Sequence, residues 1–446
     1  MGNETLVVVG GVAAGMSAAA KAKRENPDLT VKVYERGPHV AYGQCGLPYY
    51  LAGHLEKAEA LVVRQPAVFR EQGVAVHLFH EGIELDTENQ RLLVANRISG
   101  KEEKVAYDHL VIATGADPVM PKMPGIHLPG VMPLKTIPDA EAIQQFLSDP
   151  QVKQVVLVGG GYINVEMAEA ALARGKKVRL IQRPGQVLNH LDEEFGKAAG
   201  DVLERHGVQL HLKETVKALE GTSRVTQVVT DQGTYPADLV IIALGVSPNT
   251  RWLPEKEFHQ LSNGALVTDA FSRTNRDHHY TAGDCAGVYH RIRKEQVYLP
   301  LGTTANKQGM IAGACIAGNP QAYGGILGTA IVKVVDRTFG KTGISEKEAQ
   351  ALHIPFETVT VTGASHAGSY PGAGKITIKL IYHRHYRTLL GAQLWGPVEG
   401  AKRLDVLAVA LQQEMTVEEL ALTDLSYAPP YATVWDVVQV AARAAK

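Results

Sequence analysis

The chain has few cysteines, and their spacing excludes two kinds of site. Its 446 residues contain only Cys45, Cys285 and Cys315, which lie far apart and form no C-x-x-C pair. A local dithiol and a zinc site built from neighbouring cysteines are therefore excluded. So sparse a use of cysteine is typical of a protein kept in a reducing cytoplasm, and we predict that location.

An excess of one charge and long apolar runs are also missing. The 45 Lys and Arg residues are balanced by 46 Asp and Glu residues, which leaves a formal net charge of -1. The longest apolar runs, residues 6–20 and 155–165, contain glycines and are too short to span a bilayer. We predict no nucleic-acid partner and no membrane partner. The paired histidines lack Cys or carboxylate neighbours, so we predict no metal site.

A glycine turn near the N-terminus is flanked by a strand and a helix. Residues 6–9 predict a buried parallel strand, residues 10–15 a turn, and the alanine-rich stretch to about Arg24 a helix. A second strand, residues 31–34, ends at Glu35. A strand, a glycine turn, a helix and a strand that ends in an acid form the dinucleotide-binding arrangement.

Each residue type in this turn has a physical role. Gly10 makes the turn, the helix N-terminus receives the pyrophosphate, and Gly15 lets helix and strand touch. Glu35 accepts hydrogen bonds from the ribose of the adenosine. Val12 occupies the position of the usual second glycine, which weakens the motif when it is taken alone.

The same unit occurs a second time. A strand at residues 154–158, a glycine turn at residues 159–161, a helix and a strand at residues 177–181 repeat the first pattern. Each copy is followed by a buried strand that ends in a glycine turn, at residues 107–115 and 237–245. An internal repeat of this kind is a sharper signal for nucleotide binding than either copy.

Cys45 lies in a glycine-containing segment after the first unit, residues 41–50. Gly46 allows the backbone to approach a ligand closely, and Pro48 suits the first turn of a helix. Cys45 would then lie near a helix N-terminus, which lowers the thiol pKa below its free value of about 8.5. The alternative is a buried cysteine that acts as a small hydrophobic residue.

The two dinucleotide units, the Ala-Thr-Gly and Ala-Gly-Asp turns and the single cysteine resemble the FAD-dependent pyridine nucleotide disulfide oxidoreductases, over essentially the whole chain. Tyr50 stands where the glutathione reductase type has its second cysteine, so the chain resembles the single-cysteine branch. Residues 45–50, Cys-Gly-Leu-Pro-Tyr-Tyr, look like the segment of coenzyme A disulfide reductases and related persulfide reductases. Oxidases and peroxidases of this branch carry a histidine where this chain has Ala13, whose methyl group cannot carry a proton.

The resemblance implies an α/β fold with two Rossmann-like domains and a C-terminal α+β dimerisation domain. An FAD-binding domain would comprise residues 1–118 and 246–324, and an NAD(P)-binding domain residues 119–245. Residues 325–446 would form the dimerisation domain of a homodimer.

The resemblance also implies the residues that bind the cofactors and the substrate. The expected FAD contacts are Gly10, Gly15, Glu35, Arg36, Thr114, Gly115 and Asp284. The expected NAD(P)H contacts are Gly159, Gly161, Tyr162, Glu166, Gln182, Arg183 and Gly245. The expected coenzyme A contacts are Ser17, Lys21, Arg24 and Gln44.

The end of the second strand of the second unit bears on the choice of nicotinamide cofactor. An NADH site usually has an acid there, which repels a 2'-phosphate, whereas this strand ends in Gln182 and Arg183. We predict NADPH, or both NADPH and NADH. Arg183 is alternatively an ordinary surface arginine.

By the same resemblance, Cys45 and Tyr427 are the catalytic residues. Tyr427 would reach the active site of the other subunit and protonate a leaving thiolate, or else pack in its proline-rich turn. A catalytic role for Tyr370 stays open. We interpret Cys285 and Cys315 as structural.

The implied function is electron transfer from NAD(P)H through FAD and Cys45 to coenzyme A disulfide, with a mixed disulfide between Cys45 and coenzyme A. A persulfide or polysulfide is an alternative substrate for the same cysteine. The alternatives are an NADH oxidase or peroxidase that reduces O2 or H2O2, and a slow redox-sensing flavoprotein.

Overall fold

The N-terminal part of the chain builds a parallel sheet around its most apolar strand. The computed structural model describes residues 4–446. The first helices and strands are β1 (Thr5–Val9), α1 (Ala13–Glu25), β2 (Thr30–Glu35), α2 (Leu47–Ala52), α3 (Pro66–Glu71), β3 (Val74–Leu78), β4 (His80–Asp86), β5 (Arg91–Asn96), β6 (Glu102–Ala106), β7 (His109–Ile112) and β8 (Ala116–Pro118). From Leu6 onward the side chains of β1 are buried, as expected for an inner strand covered on both faces.

From residue 154 onward, the middle of the chain repeats this order of strands and helices. They are β9 (Val131–Met132), α4 (Ile137–Ser148), β10 (Gln154–Val158), α5 (Tyr162–Ala173), β11 (Lys177–Gln182), α6 (Glu193–Arg205), β12 (Gln209–Leu212), β13 (Val216–Gly221), β14 (Val225–Thr230), β15 (Thr234–Pro236), β16 (Leu239–Ile242) and β17 (Val246–Pro248). The predicted strands and helices of both units agree with these bounds to within a few residues.

The remaining elements add the last strand of the first sheet and then form the C-terminal part of the chain. They are β18 (His279–Thr281), β19 (Val288–His290), β20 (Glu295–Val297), α7 (Gly302–Ile316), β21 (Ala330–Val334), β22 (Arg337–Gly343), α8 (Glu346–Ala351), β23 (Phe356–Ala364), β24 (Lys375–His383), β25 (Leu389–Gly396), α9 (Arg403–Gln412), α10 (Val417–Ala421) and α11 (Val437–Ala444). Within residues 4–446 no helix is long and apolar enough to cross a membrane.

Four strands of each parallel sheet have the same order and connection, which confirms the internal repeat, whereas the fifth strand comes last in the first unit and first in the second. The first has the strand order β18-β7-β1-β2-β3, and the second has the order β9-β16-β10-β11-β12. All neighbouring strands in both sheets are parallel. Each unit also carries a three-stranded antiparallel sheet, β4-β5-β6 in the first and β13-β14-β15 in the second. The predicted pair of Rossmann-like units is therefore present.

The C-terminal part is a five-stranded antiparallel sheet of order β21-β22-β25-β24-β23. Its buried face packs with α9, α10 and α11 in one apolar core that includes Leu380, Leu394 and Leu407. The predicted C-terminal α+β region is confirmed, and its helix α9 begins at Arg403 and ends at Gln412.

Helices α1 and α7 lie in close contact because two glycines of α7 face the backbone of α1. A Cβ atom on Gly309 would collide with the carbonyl oxygen of Ala14, and one on Gly313 with that of Ala18. The contact joins the C-terminal half of the first unit to its N-terminal helix, and it determines which face of α1 stays accessible.

Candidate active site

Cys45 lies in a single 3-10 turn, Gln44–Gly46, that leads directly into α2. Pro48 is in the first turn of α2, so the predicted position of Cys45 at a helix start is confirmed. The Cys45 side chain is exposed to solvent, whereas Cys285 and Cys315 are buried. Gly46 differs from expectation, because a Cβ atom there would collide with the Leu61 side chain, so packing within the protein requires this glycine.

The charges around Cys45 contradict the predicted low thiol pKa. Partial burial raises the pKa of the Cys45 thiol, and the carboxylates of Glu166 and Asp284 raise it further, while Lys135 opposes them. Burial of the thiol is the largest of these causes, and the two acids, which come from other parts of the chain, add to it. Neither effect could be predicted from the local helix start.

A hydrogen bond joins α2 to the first helix of the second unit. The Tyr49 hydroxyl donates to Oε1 of Glu166 at 3.0 Å. Burial raises the pKa of Glu166 to about 7, although the hydrogen bond from Tyr49 partly opposes the shift. Tyr49 follows Cys45 by four residues, and sequence reasoning gave it no role. The i, i+4 spacing of Tyr49 from Cys45 could have indicated that both residues lie on the same side of a helix.

The first glycine turn has the predicted tight geometry. Gly10 has a φ of 103°, and a Cβ atom there would collide with the carbonyl oxygen of Ala113. A Cβ atom on Gly15 would collide with the carbonyl oxygen of Gly10, so the start of α1 approaches the end of β1 closely. Helix α1 begins after Val12 without a side-chain cap, which leaves its first amide groups available to a phosphate.

Glu35 braces this turn from the end of β2. Its carboxylate accepts hydrogen bonds from the backbone N–H of Gly11 at 2.6 Å and of Gly37 at 2.7 Å. Its oxygens can accept a ribose hydroxyl only in addition to these two bonds. The neighbouring Arg36 forms an ion pair with Asp117.

The turns that follow β7 and β18 approach the same region. The Thr114 hydroxyl donates to the carbonyl oxygen of Asn249 at 2.6 Å. Asp284 forms an ion pair with Lys135, at 2.9 Å from Oδ2 to Nζ. Sequence reasoning missed Lys135, which belongs to no motif and precedes α4. Because Lys135 also lowers the pKa of Cys45, these residues share one electrostatic environment.

The second glycine turn repeats the geometry of the first. Gly159 has a φ of 103°, and α5 begins after Gly161 without a side-chain cap. The buried Asn164 replaces the third glycine, and its Nδ2 donates to the carbonyl oxygens of Val158 and Gly159, both at 2.9 Å. Its amide thereby ties α5 to β10.

At the end of β11, Gln182 accepts a hydrogen bond from the backbone N–H of Gly160 at 2.9 Å. Arg183 follows it with an exposed side chain. At the start of α5, the Tyr162 ring lies 4.5 Å from the His190 ring, between centroids. Burial lowers the pKa of His190 to about 4, so the imidazole is neutral at physiological pH.

These two turns fit dinucleotide cofactors. Among the described residues, no atom lies within 4 Å of the position that a Cβ atom would take on Gly115, Gly161 or Gly245. Open space beside these glycines, together with two uncapped helix starts, leaves room and hydrogen-bond donors for a pyrophosphate at each unit.

The residues predicted to bind coenzyme A are only partly free. The Ser17 hydroxyl donates to Oδ1 of Asn306 at 2.8 Å, and Lys21 forms an ion pair with Glu25. Arg24 is exposed on the same helix. Gln44, which adjoins Cys45, donates weakly to the Tyr42 hydroxyl at 3.4 Å. Lys21 therefore offers a phosphate less positive charge than its sequence suggested.

The C-terminal tyrosines are accessible. Tyr427 lies between α10 and α11 and is 48% exposed. Tyr370 lies between β23 and β24 and is 47% exposed, and its ring centroid is 5.5 Å from that of His366. Within the described chain, neither hydroxyl forms a hydrogen bond to Cys45.

Comparisons with known proteins cover nearly the whole chain. Residues 4–309 match the family model for pyridine nucleotide-disulphide oxidoreductase, and residues 329–437 match the dimerisation domain of that family. The chain is 39% identical to the NAD(P)H sulfur oxidoreductase (CoA-dependent) of Pyrococcus abyssi, over 99% of this chain and 98% of that protein. It is 31% identical to an NADH oxidase of Enterococcus faecalis, over 99% of both chains.

A solved structure agrees with these matches. The reduced CoADR-RHD of Bacillus anthracis superposes with a TM-score of 0.96 and 32% identity, over 100% of this chain and 80% of that one. Both parts of the family's architecture are present here, the paired nucleotide-binding units and the C-terminal sheet. The chain therefore belongs to the pyridine nucleotide-disulphide oxidoreductase family, a family of flavoproteins that use NAD(P)H.

Proposed function

We propose that this protein transfers electrons from NAD(P)H, through FAD and Cys45, to coenzyme A disulfide or a related low-molecular-weight disulfide or persulfide. The observation that carries the proposal is the position of Cys45. It is the one exposed cysteine among residues 4–446, and it leads into α2, whose Tyr49 donates a hydrogen bond to Glu166 of the second unit at 3.0 Å. A thiol between two nucleotide-binding units is well placed for electron transfer to a sulfur substrate.

The chemistry at Cys45 needs only one protein sulfur, because the substrate supplies the other. The Cys45 thiolate attacks one sulfur of coenzyme A disulfide, forms a mixed disulfide and releases coenzyme A as a thiolate. Tyr427 of the partner subunit protonates that leaving thiolate through its hydroxyl, which is exposed here for such a contact. Bound FAD supplies the two-electron transfer that links the nicotinamide to Cys45.

The cofactor sites follow the two units. Residues 1–118 and 246–324 bind FAD, with the pyrophosphate at the turn between Gly10 and Gly15, the adenosine ribose at Glu35 and the ribityl chain at Asp284. Residues 119–245 bind the nicotinamide cofactor at the turn that begins with Gly159. The remaining proposed contacts are Arg36, Thr114 and Gly115 for FAD, and Gly161, Tyr162, Glu166, Gln182, Arg183 and Gly245 for NAD(P)H.

The structure favours NADPH, or both nicotinamide cofactors. Gln182 is neutral and engaged with the Gly160 amide, so it does not repel a 2'-phosphate. Arg183 is exposed and adds a positive charge at the same strand end. A carboxylate at the position of Gln182 would oppose that phosphate.

The proposed assembly is a cytoplasmic homodimer formed by residues 325–446. Coenzyme A would approach along the face of α1 that carries Ser17, Lys21 and Arg24 and reach Cys45 beside Gln44. Whether Tyr370 also takes part in catalysis is tested by the disulfide reductase activity of a Tyr370→Phe variant.

The second candidate is an NADH oxidase, favoured by the 31% identity to the enterococcal protein. Against this function, α1 begins with Ala13, at the position where oxidases of the single-cysteine branch carry a histidine. The methyl group of alanine cannot deliver protons to oxygen or peroxide. A slow redox sensor would also bind both nucleotides, but disulfide would not reoxidise its flavin rapidly.

The experiment that separates these functions is anaerobic oxidation of NADPH and NADH with coenzyme A disulfide, measured beside oxygen uptake without the disulfide. The proposal predicts fast disulfide-dependent oxidation with little oxygen uptake. Fast oxygen uptake without disulfide turnover would establish the oxidase instead.

A further inference from the structure

Phe79 and Lys213 hold equivalent positions in the two nucleotide-binding units. Each directly follows a strand, β3 or β12, that lies beside the second strand of its unit. Both have a left-handed backbone, with a φ of 59° for Phe79 and 55° for Lys213. The N–H of Phe79 donates to the carbonyl oxygen of Gly37, and that of Lys213 to the carbonyl oxygen of Pro184, both at 3.2 Å. Each acceptor lies two residues beyond the end of that second strand, so the two sites can be compared residue by residue.

At these strand ends the charged groups of the first unit are acidic or paired. Glu35, which ends β2, is acidic, and the next residue, Arg36, forms an ion pair with Asp117. Phe79 adds an apolar ring. An adenosine ribose with free hydroxyl groups suits such a site, because the carboxylate of Glu35 accepts hydrogen bonds and repels a phosphate.

The second unit differs in charge at all three equivalent positions. Gln182, which ends β11, is neutral where the first unit has an acid. Arg183 and Lys213 are exposed, and within the described chain neither forms an ion pair with a carboxylate. The second unit thus lacks the acid, leaves its arginine unpaired and has a lysine in place of the phenylalanine. All three differences favour a more anionic ligand.

The acid that follows Lys213 in the sequence is engaged elsewhere. Glu214 is buried, and its carboxylate accepts a hydrogen bond from the Thr230 hydroxyl and lies 3.0 Å from Nδ1 of His211. Lys213 itself is exposed. Its ammonium group therefore stays available to a ligand that approaches from solvent.

The loop that follows β11 is held on the glycine turn at both ends, and Lys213 lies against it. Before the loop, Oε1 of Gln182 accepts from the N–H of Gly160 at 2.9 Å. At its end, the N–H of Leu188 donates to the carbonyl oxygen of Gly160 at 2.8 Å. A Cβ atom on Gly185, within the loop, would lie 3.1 Å from Cε of Lys213. The lysine is therefore beside the loop that is anchored to the proposed pyrophosphate site.

The same loop offers backbone donors. Within the described chain, the N–H groups of Gly185 and Gln186 donate no hydrogen bond. Successive backbone N–H groups in a turn are a common anion site. The guanidinium group of Arg183 can bond two phosphate oxygens at once, whereas Lys213 acts as a compact positive charge. Together these groups form a donor set suited to a phosphate monoester.

We propose that Lys213 is a specificity-determining residue that binds the 2'-phosphate of NADPH, together with Arg183 and the free N–H groups of the loop. NADH has a hydroxyl group in place of that phosphate, so the charge of Lys213 should matter little for NADH. The inference rests on the proposed function in taking residues 119–245 as the unit that binds the nicotinamide cofactor. It adds a second cation, from β12, to the contacts proposed for that unit.

The test is isothermal titration calorimetry of NADP+ and of NAD+ with the oxidised holoenzyme, since the two nucleotides differ only in the 2'-phosphate. The variants are Lys213→Gln, Lys213→Phe and Arg183→Gln. Lys213→Phe introduces the side chain that the first unit carries in the same backbone conformation, so it stands by itself if Lys213→Gln does not fold. Lys177→Gln is the matched control, because exposed Lys177 begins β11, at the opposite edge of the same sheet.

The Kd for NADP+ should rise about tenfold in each Lys213 variant and in Arg183→Gln, because a hydrogen bond to a charged group is lost. The Kd for NAD+ should change little in all of them. Both values should stay at the wild-type level in Lys177→Gln, since its charge is remote from the strand end.

A Kd for NADP+ that is unchanged in the Lys213 variants would overturn the proposal. So would equal rises for NADP+ and NAD+, or a rise in Lys177→Gln as large as that in Lys213→Gln, because neither is specific to a 2'-phosphate at Lys213. Binding is measured without disulfide, so these outcomes are distinct from a failure of the proposed disulfide reduction. A wild-type holoenzyme that binds neither nucleotide would refute the proposed nicotinamide site, and this inference with it.

Discussion

Gln182 and Glu35 hold equivalent positions in the two nucleotide-binding units. Each ends the second strand of its sheet and accepts a hydrogen bond from a backbone N–H of the glycine turn, Gln182 from Gly160 at 2.9 Å and Glu35 from Gly11 at 2.6 Å. Both units therefore have this hydrogen bond between the strand end and the glycine turn, but the side chain that accepts it is neutral in Gln182 and acidic in Glu35. The unit proposed to hold the nicotinamide cofactor lacks the acid that excludes a 2'-phosphate.

Replacing Gln182 with glutamate should turn the preference towards NADH. The carboxylate can keep the bond from Gly160 and adds a negative charge at the strand end, so kcat/KM for NADPH should fall about tenfold, or 1.4 kcal/mol. The value for NADH should change little. Gln151→Glu, an exposed site on the same unit, is the control for added charge. Equal effects on both cofactors would contradict the assignment of Gln182.

The ion cluster around Lys379 should govern thermal stability. Lys379 is buried, and its Nζ lies 3.0 Å from Asp192, 2.7 Å from Glu194 and 2.6 Å from Glu346, so it joins the second unit to the C-terminal sheet. Lys379→Met would leave buried Asp192 without its cation, at a cost of about 3 kcal/mol.

Differential scanning calorimetry should therefore show a lower melting temperature for Lys379→Met than for the wild type. Lys402→Met, which removes an exposed pair with Asp405, should leave the melting temperature nearly unchanged. If both variants melt at the wild-type temperature, the cluster does not hold the two parts together.

His190 should make the protein sensitive to acid. Its pKa falls from 6.5 in the unfolded chain to about 4 in the fold, because burial disfavours the charged ring. The stabilisation is complete above pH 6.5 and is lost as the pH falls towards 4, by up to about 3 kcal/mol. His190→Gln should show a smaller drop in melting temperature between pH 7.5 and pH 5, the range in which this ring titrates. An identical drop in both proteins would refute this account.

The proposed role of Tyr427 predicts a selective loss. Tyr427→Phe should reduce disulfide turnover by about 10²-fold, since an acid is lost, while anaerobic reduction of the flavin by NADPH stays unchanged. Tyr431→Phe is the control, because Tyr431 is close in sequence and 76% exposed. Stopped-flow measurement of both half-reactions separates the steps. Unchanged reoxidation by disulfide in Tyr427→Phe would exclude the tyrosine as the acid.

Local patterns in the sequence were sufficient to predict the strands, the glycine turns and the position of Cys45. The runs around Val8 and Leu157 are apolar enough to be inner strands, and Gly10 and Gly159 adopt the φ that their turns require. The repeat of these patterns also predicts the order that four strands share in the two sheets.

Contacts between distant parts of the chain could not be predicted in this way. Tyr49 and Glu166 are 117 positions apart, and Lys135 and Asp284 are 149 apart. No spacing rule links such residues, because helix packing and loop paths bring them together. The predicted pKa of Cys45 was wrong for a related reason, since the burial that raises this pKa and the two acids that raise it further depend on how distant elements pack.

In the proposed function, Cys45 is the sulfur through which electrons reach the substrate. The most direct measurement is anaerobic NADPH oxidation with coenzyme A disulfide by a Cys45→Ser variant, beside its bound FAD content. The account predicts a variant that keeps FAD and reduces no disulfide, because serine cannot form the mixed disulfide. Disulfide turnover at the wild-type rate in Cys45→Ser would contradict it.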